Sequence, residues 1–129
     1  MRKAYTIALL ILVPLVAFAK PLATAELKIN DSPNIKVYAF EKVLDRWGDK
    51  EWIYFSDLIS RESNWKSESK NPNSTAYGLG QFLDSTWKSV GCVKTSDPYM
   101  QINCTIDYIY LRYGTPKKAI LFHNKMNWY

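Results

Sequence analysis

The chain has 129 residues, 47% hydrophobic and 22% charged, with a formal charge of +5; that suits one domain with a modest core. Its basic residues are scattered rather than gathered into a run, which excludes a nucleic-acid-binding arm and leaves room only for weak attraction to an anionic wall or membrane surface. One histidine, and one cysteine pair without C-x-x-C spacing, exclude a tetrahedral metal centre.

The first segment reads as an export signal, residues 1–19. Arg2 and Lys3 form a positive start, Ala4 to Phe18 is uncharged and mostly apolar, and Ala17-Phe18-Ala19 supplies the small residues of a cleavage site. A retained membrane anchor is the competing reading, but the run is short for a bilayer span and Pro14 interrupts it. Removing Arg2 and Lys3 from the 17 basic residues leaves 15 against 12 acidic ones, a charge of +3. Cys92 and Cys104 are the only cysteines. In an exported chain they are expected to form a structural disulfide, whose closed loop contributes about 3 kcal/mol on a chain-entropy account.

Residues 20–34 read as a leader ending in the helix-start signal Asp31-Ser32-Pro33, and residues 35–129 as the domain. Phe40, Val43, Leu44 and Trp47 recur at helical spacing up to a stop at Gly48. A second helix is expected from Trp52 to Glu62. Within it Phe55, Leu58 and Ile59 fall at i, i+3 and i+4, and Glu62 takes the i+7 position of the same stripe. Glu62 is therefore expected to face inward, where burial penalises the ionised carboxylate and raises its pKa, the condition a general acid needs near neutral pH. The plain alternative is a surface glutamate at a fraying helix end.

Ser63 to Thr75, rich in Ser, Asn and Lys and containing Pro72, reads as an exposed loop. Asp84 or Ser85 is expected to cap a short helix through Trp87 and Val90, ended by Gly91. Asp97-Pro98 opens the next, with Ile102, Ile106, Ile109, Tyr110 and Tyr113 along it, and Gly114-Thr115-Pro116 joins a stop to the cap of a final helix. The expected class is mainly α, about five to six helices with an irregular face over Ser63–Gln81. No strand pattern is strong, and no internal repeat or low-complexity tract is present.

Between the second and third helices lies Tyr77-Gly78-Leu79-Gly80-Gln81. The glycines permit close backbone approach and positive φ, so that main-chain groups can meet a sugar or the Glu62 side chain. Gln81 offers both a donor and an acceptor, matched to the amide of an N-acetylated sugar, and Tyr77, Trp65 and Trp87 offer flat faces to sugar rings. An ordinary turn at the glycines and a core position for Trp87 are the alternatives.

Glu62-Ser63-Asn64-Trp65 followed by Ala76-Tyr77-Gly78-Leu79-Gly80-Gln81-Phe82 and Thr86-Trp87 resembles the transglycosylase SLT domain of the lysozyme-like superfamily, over roughly Trp52 to Tyr129. The resemblance implies a lysozyme-like fold in which Glu62 is the sole catalytic acid and base, Ser63 supports it, and Gly78, Leu79, Gly80 and Gln81 line a glycan groove. Tyr77 and Asn124 join the substrate-binding set by position. Where the family usually has Ala-Tyr-Asn-Ala-Gly, this chain has Phe122-His123-Asn124-Lys125-Met126, so His123 stands in place of the tyrosine. An imidazole can offer the acid a similar hydrogen bond if its tautomer allows, and a purely structural histidine is the alternative. The ending Asn127-Trp128-Tyr129 is similar to that of small relatives in the superfamily.

The implied reaction is lytic cleavage of peptidoglycan between N-acetylmuramic acid and N-acetylglucosamine, giving a 1,6-anhydromuramoyl product. Two-carboxylate glycosidases need a second acid within about 5 to 9.5 Å. Asp57, Glu68 and Asp84 are the candidates nearby in sequence, and none lies in a motif. A hydrolytic muramidase of the same fold and a non-catalytic glycan-binding module are the alternatives. The expected setting is a monomer acting on peptidoglycan strands in the periplasm or outside the cell, without cofactor, metal or nucleic acid and without stable membrane insertion once the signal is removed. A wall-spanning secretion or conjugation apparatus is an open partner.

Overall fold

Helix α1 (Asp31–Trp47) ends where Gly48 takes up a φ of 90°, a conformation that glycine alone adopts at no steric cost. The computed structural model describes residues 31–129, and the expected signal segment and the leader up to residue 30 lie outside them. A single 3₁₀ turn, Asp49–Glu51, leads into α2 (Trp52–Ser63). Then come a long irregular segment, α3 (Asp84–Ser89), α4 (Pro98–Arg112) and α5 (Pro116–Met126). The described residues are thus mainly helical, with only two isolated antiparallel bridges, Lys70 to Tyr77 and Tyr77 to Phe82.

The start signals of α4 and α5 act as their chemistry dictates. The Asp97 carboxylate accepts from Tyr99 N–H at 2.9 Å and Met100 N–H at 3.3 Å, and Thr115 Oγ1 accepts from Lys118 N–H at 3.3 Å. Each such cap satisfies an otherwise orphaned amide and contributes about 1 kcal/mol. Helix α3 departs from expectation. Leu83 occupies its cap position with no side-chain bond, and Asp84 is its first residue; the Asp84 amide donates to Thr75 Oγ1 at 3.1 Å and the carboxylate pairs with Lys94 at 2.8 Å. Tertiary partners, not a local cap, start this helix.

The stripe that α1 buries is Ile35, Ala39 and Val43, at i, i+4 and i+8, with Phe40 and Trp47 flanking it partly buried. Leu44, expected on the same face, is 43% exposed. Helix α4 is the opposite case. It buries Gln101, Ile102, Cys104, Thr105, Ile106, Tyr108 and Ile109, because α1 and α5 cover it from one side and the irregular segment from the other. Only its outer edge escapes, so Tyr110 is half exposed.

Two clusters result. Phe55, Leu58, Ile59, Leu79, Ile102, Ile109 and Ile120 lie at the centre of the larger; Phe82, Trp87, Cys104 and Tyr108 form the smaller, under the irregular segment. The Cys92–Cys104 disulfide joins the stretch after α3 to α4 at the edge of the smaller cluster. The pair Cys92→Ala/Cys104→Ala is expected to lower the unfolding free energy by about 3 kcal/mol in urea titrations of the oxidised protein, and an unchanged midpoint would contradict a stabilising crosslink.

Candidate active site

Glu62 is the penultimate residue of α2, on the stripe carried by Phe55, Leu58 and Ile59, all fully buried. Its neighbours are fixed by the packing of α2 on α5, the most extensive helix pairing among the described residues. Two bonds lock the pairing from outside the core. Lys117 N–H donates to Glu51 Oε2 at 2.8 Å, and Arg61 Nη1 donates to Asn124 Oδ1 at 2.6 Å while its guanidinium pairs with Asp57 at 2.9 Å. The result leaves the Glu62 side chain 14% exposed and sets His123 Nε2 2.8 Å from Glu62 Oε1.

Burial pushes the Glu62 carboxyl up to about 7, and its position at the negative end of the α2 dipole acts in the same direction. His123 is held below its usual value, first by burial and then by the neighbouring Arg61 charge, with Asp57 opposing. Desolvation raises the acid and lowers the base, so both shifts favour the uncharged pair over a buried charge separation. The other ring nitrogen, Nδ1, is buried without a hydrogen-bond partner.

Glu62 opens on a cleft of about 400 Å³, within the range of small-ligand sites, walled by Gly80, Gln81, Asn71, Thr86, Arg112 and Tyr129 among others. Among the described residues lining it, Glu62 has the only acidic side chain. Asp57 and Asp84, named from sequence as possible second acids, are engaged by Arg61 and Lys94, and Glu68 does not reach the cleft.

The irregular segment reaches this cleft through a chain of close contacts. Asn64 and Trp65 both have positive φ, at 50° and 62°, which turns the chain back so that Trp65 packs on Trp52 and donates from Nε1 to Ser60 Oγ. Gly78 approaches α4 so closely that a Cβ would lie 2.7 Å from the Gln101 amide. That amide is a fully buried clamp: Oε1 accepts from Leu79 N–H at 2.8 Å, and Nε2 donates to the carbonyls of Ser67 and Thr95 at 2.8 and 2.7 Å. At Gly80 a Cβ would meet Thr105 Oγ1 at 2.8 Å and Tyr129 Oη at 2.9 Å, and Tyr129 Oη donates to the Gly80 carbonyl at 3.0 Å. The glycines are therefore required by packing against the protein itself, where the sequence suggested approach to a sugar. Gln81, at φ 50°, uses Nε2 to brace the Ser69 and Gly78 carbonyls while lining the cleft.

The residues singled out from sequence thus divide. Glu62, Gly80 and Gln81 share the cleft, and His123 bonds Glu62 from α5. Ser63 is buried with its hydroxyl on the Ile59 carbonyl at 3.3 Å, Leu79 is fully buried in the core, and Gly78 serves the Gln101 clamp. Asn124 is engaged by Arg61 on the outer face. Trp65 and Trp87 are core residues, so neither presents a ring to a ligand, and Tyr77 lies beside the cleft under Lys94. Sequence reasoning missed Gln101, Arg112 and the tyrosine cluster. Tyr108, Tyr113 and Tyr129 pack ring against ring, and the Arg112 guanidinium lies over Tyr108, Tyr113, Phe122 and Trp128 at 5.1 to 5.9 Å. Burial, followed by the Glu62 charge, holds the Tyr129 hydroxyl well above its usual range. The aromatic ending Trp128-Tyr129 was the available signal.

Compared with known proteins, the chain matches no family model, no curated sequence and no solved structure.

The raised acid has a consequence for stability. In the unfolded chain Glu62 ionises near 4.5, whereas the folded protein keeps the proton up to about 7. The native state therefore binds more protons inside that window and loses stability as pH rises through it. Glu62→Gln removes this dependence. Relative to the parent, the variant is expected to gain about 1–2 kcal/mol between about pH 5 and pH 8, with allowance for partial exposure. Urea unfolding of both proteins at the two pH values measures the difference, and a constant offset would contradict a buried, proton-holding Glu62.

Proposed function

We propose that the chain is a peptidoglycan lytic transglycosylase with a lysozyme-like fold, acting in the periplasm or outside the cell. The observation that carries this reading is a lone, water-shielded carboxyl, raised to about 7, on a cleft it shares with Gln81 and Gly80. The Glu-Ser and Gly-Leu-Gly-Gln motifs support it by their spacing.

In this mechanism a glycan strand lies in the cleft with the bond between N-acetylmuramic acid and N-acetylglucosamine at Glu62. The protonated carboxyl donates to the glycosidic oxygen as that bond breaks, and the departing sugar leaves as an alcohol. With no second carboxylate on the cleft, the N-acetyl oxygen of the substrate itself stabilises the positive charge at C1. The Glu62 carboxylate then removes the proton from the 6-hydroxyl of the same sugar, whose oxygen closes on C1 to give the 1,6-anhydro ring. Glu62 ends protonated and ready for another turn. His123 accepts the acid's hydrogen bond in the resting state and keeps the carboxyl oriented. The Tyr129 hydroxyl and the Gln101 clamp act indirectly, by holding the Gly78–Gln81 backbone against the groove.

Three measurements test the reading. Glu62→Gln is expected to lower the rate of release from purified sacculi by about 10²–10⁴-fold, and a rate equal to that of the parent would remove Glu62 from the chemistry and favour a binding module. Mass analysis of the parent's products is expected to find anhydromuropeptides, whereas reducing ends alone indicate a hydrolytic muramidase. Since the acid must begin protonated, kcat/KM is also expected to fall as pH rises through about 7; a rate that climbs through this range contradicts the assignment.

A further inference from the structure

The cleft does not end at its own rim. The turn from Asn71 to Ala76, closed by an Asn71 N–H bond to the Ala76 carbonyl at 3.1 Å, forms a wall whose two end residues line the Glu62 cleft on one side and a second open pocket of about 410 Å³ on the other. Lys70, Ser74, Thr75, Tyr77 and Lys94 complete this second pocket. It carries no carboxylate among its described lining residues.

Its two cations are placed by the fold. The bridge between Lys70 and Tyr77 sets these residues opposite each other on paired backbone, where side chains are neighbours. The Lys94 ammonium lies 5.5 Å over the Tyr77 ring, 2.8 Å from Asp84 Oδ1 and 3.4 Å from the Thr75 carbonyl. Lys94 is thus held over the shoulder, and less side-chain freedom remains to be lost when an anion arrives. Lys70 makes no ion pair among the described residues, and the partner of Lys94, Asp84, is itself largely exposed and lies outside the pocket lining. The pocket between α1 and α4 differs in two respects: its own lining includes two carboxylates, Asp45 and Asp107, beside Lys42 and Arg46, and it shares no residue with the Glu62 cleft.

We propose that the Lys70–Lys94 shoulder is a subsite for an acidic peptide substituent on the glycan, so that the cleft prefers strands that keep their stem peptides over bare ones. This rests on the proposed cleavage reading for the identity of the glycan. A strand seated at Glu62 passes beside the Asn71–Ala76 wall, and a substituent on a neighbouring sugar crosses that wall to reach the lysines. Its backbone amides meet the polar groups of Asn71 and Ser74, and its free carboxylates meet the ammonium groups. Peptidoglycan stems carry such carboxylates far enough from the sugar to cross the wall, whereas an amidase-stripped strand keeps only the lactyl carboxylate held close against each muramic acid ring.

The test uses the Glu62→Gln protein, which binds without turnover. Its affinity for glycan strands bearing their stem peptides is compared with that for the same strands stripped by an amidase. The expected preference for stem-bearing strands is about fivefold at low ionic strength, falling toward one as salt rises. In a background of Lys70→Gln with Lys94→Gln the preference is expected to vanish, and with Lys70→Arg and Lys94→Arg to return. Equal affinity for the two strands, a preference unmoved by the glutamine pair, or binding to neither strand would overturn the subsite. The product assay on the parent keeps the two ideas apart. Cleavage of both strands without any stem preference discards the shoulder and leaves the enzyme, whereas stem-dependent binding with no cleavage discards the enzyme and leaves the shoulder.

Discussion

The shielding of one carboxyl from water is what the rest of this molecule serves. Glu62 projects from the last turn of α2 into the seam with α5, and the depth of that seam, not a neighbouring charge, raises its proton affinity. Desolvation acts on both members of the Glu62–His123 pair, in opposite directions, and so favours their uncharged forms. A histidine at this position differs from a tyrosine in that, once charged, it would add a buried cation beside the cleft, which its burial and Arg61 resist.

Holding an irregular segment against such a site is the second physical problem, since loop backbone brings polar groups that must be satisfied. Here a single buried side chain meets much of that need. Gln101 bonds the Leu79 amide and the Ser67 and Thr95 carbonyls, tying three separate points of the chain to α4. Tyr129 adds a fourth point at Gly80, and the disulfide a fifth at Cys92. The glycines at 78 and 80 follow from this. A side chain at either position would strike the groups that fasten the loop, so their conformational freedom serves internal packing before any ligand arrives.

Much of the helical frame was legible in the residues. Asp97-Pro98 and Thr115-Pro116 marked real starts, Gly48 and Gly114 real stops, and the spacing of Phe55, Leu58, Ile59 and Glu62 placed the acid on a buried stripe. The errors have a common cause. Leu44 and Tyr110 lie on faces that periodicity marks as apolar, yet both are about half exposed, Tyr110 with only the Arg46 guanidinium over its ring. Asp84 looked like a local cap and instead serves Lys94 through space. Trp65 looked available to a sugar and is packed away where the chain turns back at Asn64 and Trp65, whereas Trp87 takes the core position that was its alternative reading.

Local periodicity and end signals determined the number and limits of the long helices, the side of α2 on which Glu62 emerges, and the cysteine pair available for a crosslink. They could do so because helix formation and capping depend on residues within a turn or two of one another. Only the tertiary structure decided that His123 meets Glu62, that Gln101 fastens the loop, that Tyr129 reaches Gly80 and that Lys70 and Lys94 share a shoulder. Each of these joins elements far apart in the chain, and such encounters are set by how helices pack and which surfaces they exclude from water, information that no single segment contains.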